Sequence, residues 1–154
     1  MRTFAIIILV FNVTWAAPWG VLVLYATRHL GLGAVGYGAL TAAAALGGIV
    51  GIACFGWLER HVRFATLMRV CLSLEVLMHL SFARTTSGIR IIAFLIMFVF
   101  GAYAFVWGTT STTVRQRLVP RDLQGRIASV SAVGVFAGIV IGQLLGGLIA
   151  QTWG

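Results

Sequence analysis

Residues 125–150 form one long apolar stretch that constrains what the whole chain can fold into. From Ile127 onward the stretch carries no charged side chain, and it is longer than the about 20 apolar residues that cross a bilayer as a helix. Glycine recurs in it at every fourth position, at Gly134, Gly138, Gly142 and Gly146. On a helix this spacing places the glycines on one face, where a second backbone can approach closely. The stretch therefore predicts a transmembrane helix that packs against a partner helix.

The composition of the chain predicts an all-α integral membrane protein. Of its 154 residues, 60% are hydrophobic and 9% are charged, whereas soluble domains carry about 25% charged residues. The length accommodates about five crossings. We predict membrane spans at residues 3–26, 37–57, 64–82, 89–113 and 127–150. The first span begins like a signal peptide, but its apolar run continues to Ala26, which favours a retained span over cleavage.

The positive charge predicts an orientation in the membrane. The net charge is +8, and all 11 basic residues are arginines in the short gaps between apolar runs. This placement favours contact with lipid headgroups over nucleic acid. With the N-terminus inside, eight arginines lie in cytoplasmic loops and three lie outside. The positive-inside rule therefore predicts a multi-pass protein of the cell (inner) membrane with a cytoplasmic N-terminus.

Motifs for cofactor binding and enzymatic catalysis are either absent or explained otherwise. Residues 31–36 read G-x-G-x-x-G, but the preceding apolar run is too long for a strand and no βαβ pattern follows. We interpret these glycines as a tight turn and a close helix start. Cys54 and Cys71 have no metal-ligand spacing, and no H-E-x-x-H, P-loop or G-x-S-x-G motif is present. The sequence predicts no enzyme, no cofactor and no metal site.

Two spans carry a polar and aromatic face. The residues share helical spacings of three and four; they are Asn12, Trp15 and Trp19 in the first span and Tyr103, Trp107 and Thr110 in the fourth. One interpretation is that both faces line a substrate cavity, with Pro18 kinking the first helix. The alternative is an ordinary pair of spans with packing aromatic residues.

A second stripe of small residues lies in the second span, at Ala39, Ala43, Gly47 and Gly51. Alanine and glycine are abundant in this chain, so one such stripe could arise by chance. Two stripes on two helices favour close helix packing at both.

Glu75 and His79 are the candidate proton-linked residues. They lie four positions apart in the third span, on one helix face. An acid near the middle of a membrane costs about 2.5–3.5 kcal/mol on insertion scales, so it is expected to serve a function. One interpretation is a proton-coupling acid with His79 as its partner; the other is a hydrogen-bonded glutamate packed against a neighbouring helix.

The polar loops carry the features that resemble a known family. The stretch at residues 114–126 is the most polar in the chain, and Pro120 is expected to break the helix there. Its segment at residues 117–126, R-L-V-P-R-D-L-Q-G-R, resembles the loop between helices ten and eleven of major facilitator superfamily transporters, in the branch of enterobactin exporters and related multidrug exporters. Residues 30–38, L-G-L-G-A-V-G-Y-G, are similar to the family's entry to helix eight.

The resemblance implies a partial C-terminal bundle, helices seven to eleven of that family. It implies that the first and fourth spans line the substrate cavity and that the second and fifth face the other half of the transporter. The third span would be peripheral, which favours the packing interpretation of Glu75. The resemblance also singles out loop residues on the cytoplasmic side, namely Glu59, Arg60, Arg63, Arg117, Pro120, Asp122, Gly125 and Arg126. The family's G-x-L-x-D-R-x-G-R loop is only partly matched, because Glu59 lies one position early and the second glycine is missing.

The expected function is proton-coupled efflux of a small molecule, by a piece of a transporter that does not transport alone. Its expected partners are the lipid bilayer, a small-molecule substrate and either the missing N-terminal half or another membrane protein, with no nucleic acid. The alternative is a small membrane protein that acts by helix–helix association with itself or with another membrane protein.

Overall fold

The computed structural model describes residues 2–84 and 90–153, and these residues form five long α-helices with no strand among them. The helices are α1 (Arg2–Leu24), α2 (Ala34–His61), α3 (Phe64–Arg84), α4 (Arg90–Leu118) and α5 (Arg121–Trp153). A π-helical turn, Tyr25–His29, directly follows α1. The predicted all-α fold with five apolar helices is confirmed, and each helix is long and apolar enough to cross a membrane.

The chain divides into two compact units, which are described separately. Unit 1 comprises Met1–Ala26 and Val119–Gly154, and unit 2 comprises Thr27–Leu118. In unit 1, α1 packs against α5. In unit 2, α4 packs against both α2 and α3.

The glycine face of α5 forms the contact with α1 in unit 1. Gly138, Gly142 and Gly146 are all buried, and a Cβ atom added at Gly138 would lie 2.8 Å from the carbonyl oxygen of Leu9. At Gly142 and Gly146 the added atom would collide with the carbonyl oxygens of Val13 and Ala17. The absence of side chains therefore lets the two backbones approach to van der Waals contact, which is the main source of helix association in lipid.

The same kind of contact joins α2 to α4 in unit 2. Added Cβ atoms at Gly47 and Gly51 would collide with the α4 backbone, at the carbonyl oxygens of Phe98 and Ala102. The approach is reciprocal, because a Cβ atom at Gly101 on α4 would collide with the carbonyl oxygen of Ala44. Of the predicted stripe, Ala43 is half-buried and Ala39 is exposed. The buried face of α2 is completed by Leu40 and Gly48 instead.

The helices extend further into the polar segments than the predicted spans. The structure has α4 continuing to Leu118 and α5 starting at Arg121, so the predicted loop at 114–126 shrinks to Val119 and Pro120. Charge keeps a residue out of hydrocarbon but does not keep it out of a helix, and arginine and glutamine are good helix formers. Pro120 still separates the two helices, since its ring excludes it from a helix interior.

The turns around the other helices partly test the sequence interpretation. Gly31 has a φ of 61°, a left-handed conformation that glycine adopts without strain, and the carbonyl of Gly33 accepts the first hydrogen bond of α2 from Tyr37. Helices flank this turn on both sides, so the rejection of a dinucleotide-binding motif is confirmed. On the other side of the chain, α1 continues helical through Pro18. The expected loop at 84–90, with helix caps at 85–87, lies largely outside the described residues.

Large apolar side chains cover the outward faces of the helices. On α5 the face opposite the glycines exposes Phe136, Val140, Leu144 and Leu148. Comparable residues are exposed on α2 and α3, including Ile49, Ile52, Val76 and Leu80. Exposing such surface to water is unfavourable by about 25 cal/mol per Å², and soluble proteins rarely present patches of this extent. Lipid is the solvent that these faces fit.

Candidate functional site

A hydrogen-bonded group of polar side chains joins α3 to α4 inside the apolar part of unit 2. The phenol oxygen Oη of Tyr103 donates to Oε2 of Glu75 at 2.5 Å, and the sulfur of Met78 lies 3.5 Å from the same phenol oxygen. The Tyr103 side chain is buried, with 6% of its surface exposed. The Glu75 side chain is 17% exposed. An acid within a membrane helix is thereby held against the next helix along the chain.

His79 is the third member of this group and lies one turn along α3 from Glu75. Its Nδ1 atom is 2.8 Å from the backbone carbonyl oxygen of Glu75 and 3.4 Å from Oε1 of the Glu75 carboxyl group. Because a carbonyl oxygen only accepts hydrogen bonds, Nδ1 carries the hydrogen, and Nε2 is the basic nitrogen of the neutral ring. The predicted spacing of four residues thus brings the carboxyl group and the imidazole together.

Two atoms of the group are buried without a hydrogen bond to any described residue. They are Oε1 of Glu75 and Nε2 of His79. A buried polar atom without a partner costs about 1–3 kcal/mol, so such atoms in a folded protein call for a functional explanation. Oε1 and Nε2 are also the two atoms of the group that can bind a further proton. The arrangement can therefore hold a proton at either of two neighbouring positions.

The contact between Glu75 and Tyr103 is the part of this site that sequence reasoning missed. Tyr103 was grouped with a cavity-lining face, and Glu75 was given only His79 as its partner. A signal was available, because consecutive spans joined by a short loop run antiparallel. Glu75 lies nine residues before the end of α3 at Arg84, and Tyr103 lies thirteen after the start of α4 at Arg90. The two side chains are therefore expected at similar depths.

The remaining candidate cavity residues of α4 are enclosed to different degrees. Thr110 has no exposed surface, and its hydroxyl oxygen has no hydrogen bond to a described residue. Trp107 is half-buried. In the described structure, Tyr103 and Thr110 are therefore covered by neighbouring residues.

The candidate cavity residues of α1 belong to unit 1. The Trp15 and Trp19 rings contact each other, with centroids 5.9 Å apart and planes inclined by 41°. The amide of Asn12 donates to the carbonyl oxygen of Ile8 at 2.8 Å, and its Cβ atom lies against Gly138 of α5. Asn12 therefore takes part in the α1–α5 contact, while the two tryptophans form an aromatic pair beside it.

The glycine faces have a different role from the one that the family resemblance implies. The resemblance assigns the second and fifth spans to contact with the other half of a transporter. The structure instead fills the faces at Gly47 and Gly51 with α4, and the faces at Gly142 and Gly146 with α1. Gly134 is half-buried. The expectation of glycine faces open to an outside partner is therefore wrong at these contacts, because helices of the same chain already occupy them.

The candidate cytoplasmic residues divide between the two units. In unit 2, the guanidinium of Arg117 lies 2.7 Å from Oε1 of Glu59 and 5.1 Å from the ring centroid of Phe64. These contacts bring the end of α4 to the turn between α2 and α3, where Arg60 and Arg63 are exposed. In unit 1 the residues lie at the start of α5, where all are exposed, namely Pro120, Asp122, Gly125 and Arg126.

Histidines, cysteines and acids do not cluster elsewhere in the part of the chain that the structure describes. No three of them lie close enough to hold a metal ion. Cys54 is exposed, Cys71 is buried, and both are free thiols.

The five apolar helices and their outward apolar faces define the class of this protein, a multi-pass all-α membrane protein. Comparisons with protein-family models, curated proteins and solved structures found no match to the chain. The resemblance to major facilitator transporters therefore depends on the loop motifs alone.

Proposed function

We propose that this protein takes part in proton-coupled transport of small molecules across the cell membrane, as one part of a larger transporter. The observation that carries the proposal is the group formed by Glu75, His79 and Tyr103, an ionisable site within membrane-spanning helices. Ionisable residues at such positions are rare and commonly belong to proton or substrate pathways.

The group supplies a physical link between a proton and helix packing. A hydrogen bond to an ionised carboxylate is about twice as strong as one between neutral groups. Tyr103 therefore holds α3 and α4 together more strongly when Glu75 is ionised than when it is protonated. Loading a proton onto Glu75 weakens this connection, and releasing it restores the connection.

The family resemblance supports the rest of the proposal. It implies antiport, in which the two halves of a transporter rock around a central substrate site. Trp15, Trp19 and Trp107 would offer aromatic surfaces to the substrate, and the arginine distribution supports a cytoplasmic N-terminus. The alternative of simple helix–helix association is less favoured, because helices of the same chain cover the glycine faces at Gly47, Gly51, Gly142 and Gly146.

Proton release on ligand binding tests this function. The purified chain in detergent, in weakly buffered solution with a pH-indicator dye, is mixed with a panel of lipophilic compounds. An antiporter that exchanges substrate for protons releases protons when a substrate binds, and Glu75→Gln abolishes this release. Glu59→Gln is the matched control, because it makes the same change at the helix end and leaves the release intact. The absence of release with every compound, or release that persists in Glu75→Gln, would contradict the proposal.

A further inference from the structure

The turn between α2 and α3 combines exposed positive charge with an exposed apolar surface. Only Val62 and Arg63 separate the end of α2 at His61 from the start of α3 at Phe64. The apolar part of α2 stops at Leu58 and is followed by charged and polar residues. This end of α2 therefore lies at the boundary between hydrocarbon and headgroups.

Arg60 and Arg63 have no counter-charge within unit 2. The unit contains two acids. Glu59 is paired with Arg117, and Glu75 is held in the group with Tyr103 and His79. Both arginine side chains are exposed, and in the described residues no carboxylate reaches them. An anion from outside the chain would complete this surface, and the positive end of the α3 dipole favours it further.

The geometry around the two arginines is fixed by neighbouring contacts. The rings of Trp57 and His61 stack with centroids 4.8 Å apart and planes inclined by 24°. Nδ1 of His61 lies 2.8 Å from the carbonyl oxygen of Trp57 and donates to it. On the other side of the turn, Arg117 covers the ring of Phe64. The arginines are thus presented from a braced turn.

An apolar stripe leads along α2 to Arg60. Ile49, Ala53, Gly56 and Arg60 follow one another at spacings of three and four on one helix face, and all four are exposed. An added Cβ atom at Gly56 would meet nothing within 4 Å. Trp57, with 62% of its surface exposed, borders the stripe at the level where tryptophan favours the membrane interface. A ligand that matches this surface has an acyl chain below an anionic headgroup.

We propose that the α2–α3 turn is a binding site for an anionic phospholipid, with Arg60 and Arg63 on the phosphate and an acyl chain along the stripe at Ile49, Ala53 and Gly56. Guanidinium groups suit phosphate because they present a planar fork of donors. A free phosphate ion would meet the arginines but leave the stripe uncovered, whereas a phospholipid contacts both. This site is independent of the proposed transport function.

Lipid retention by the purified chain tests the site. The chain in detergent is titrated with phosphatidylglycerol or with phosphatidylcholine of the same acyl chains, and bound lipid is counted by native mass spectrometry. The wild type is expected to retain phosphatidylglycerol in preference. Arg60→Gln combined with Arg63→Gln is expected to reduce that preference about tenfold, since each charge-assisted hydrogen bond contributes about 1.5–3 kcal/mol.

The control and the competing ligand make the outcome decisive. Arg84→Gln makes the same change at the opposite end of α3, where the residue is also exposed, and should leave the preference unchanged. Circular dichroism checks that the helices of each variant are intact, and in the wild type the preference should fall with added salt. Equal retention of the two lipids by the wild type, or an unchanged preference in the double variant, would overturn the proposal. Full displacement of phosphatidylglycerol by millimolar inorganic phosphate would also overturn it and assign the turn to a free anion.

Discussion

The two oxygens of the Glu75 carboxyl group have different surroundings. Oε2 accepts the hydrogen bond of Tyr103 at 2.5 Å, while Oε1 is buried and lies 3.4 Å from Nδ1 of His79. One oxygen therefore ties α3 to α4, and the other is left to bind a proton. The division of roles within one carboxyl group is what makes the site suitable for coupling protonation to helix packing.

We expect Glu75 to be the acid that reacts with an apolar carbodiimide. Such reagents enter the membrane phase and add to protonated carboxyl groups, and the other acids, Glu59 and Asp122, lie at helix ends. Mass spectrometry of the labelled chain should find the adduct at Glu75, decreasing as the pH is raised. Glu59→Gln should keep the labelling and Glu75→Gln should lose it. Comparable labelling at Glu59 or Asp122 would show that Glu75 is not a distinct intramembrane acid.

We expect Tyr103→Phe to destabilise the packing of α3 on α4. The substitution removes the hydrogen bond to Glu75 and keeps the ring, so the expected loss is about 1.5–3 kcal/mol for a bond to a charged acceptor. The loss should be larger at high pH, where the carboxyl group is ionised, than at low pH. Thermal unfolding in detergent measures it, with Tyr37→Phe on α2 as the control. Equal effects of the two substitutions at every pH would exclude a special role for the Tyr103 hydroxyl.

At the scale of helices, the glycines on α5 act according to which face they occupy. Gly142 and Gly146 are buried against α1, whereas Gly147 is directly adjacent in sequence but has nothing within 4 Å of an added Cβ atom. One face requires glycine for close approach, and the other does not. The same contrast exists on α2, where Gly51 lies against α4 and Gly56 faces open space.

We expect Gly142→Ala and Gly147→Ala to change stability in opposite directions. Gly142→Ala forces the α1 and α5 backbones apart and should cost about 1–3 kcal/mol, as overpacking generally does. Gly147→Ala meets no atom and should stabilise the helix by up to about 1 kcal/mol, because alanine favours helix more than glycine does. The unfolding midpoint of each variant in the same detergent is the measurement. A Gly142→Ala variant as stable as Gly147→Ala would show that α1 and α5 do not pack through this face.

At the scale of the whole molecule, five membrane helices form two compact units, one from α1 and α5 and one from α2, α3 and α4. Transporters of the family that the loops resemble move substrate by rocking two halves against each other. Five helices that resemble part of one half lack the second body that this motion needs.

We therefore expect cells that express only these 154 residues to show no efflux of a panel of fluorescent dyes above cells with an empty vector. Immunodetection in the membrane fraction confirms that the chain is present in the cells being measured. Dye pumping above the vector level would show that the chain transports without a further half.

Several features of the fold and of the candidate site follow from local patterns in the sequence. The five apolar runs predict the five helices, because each is long enough to cross a membrane and carries few charges. The spacing of Gly138, Gly142 and Gly146 predicts a face for close packing, and the spacing of Glu75 and His79 predicts their contact. These features need only the helical period of 3.6 residues and the cost of charge in lipid.

The tertiary structure decided which helix fills each face. Nothing in the spacing of the α5 glycines distinguishes α1 from a helix of another protein, and nothing local pairs Tyr103 with Glu75 across 28 positions. Helix pairing depends on complementary surfaces that are distant in sequence, such as Gly101 against Ala44 and Gly47 against Phe98. Helix ends were also beyond the sequence patterns, because the charge that ends an apolar span at residue 113 does not end a helix that continues to Leu118.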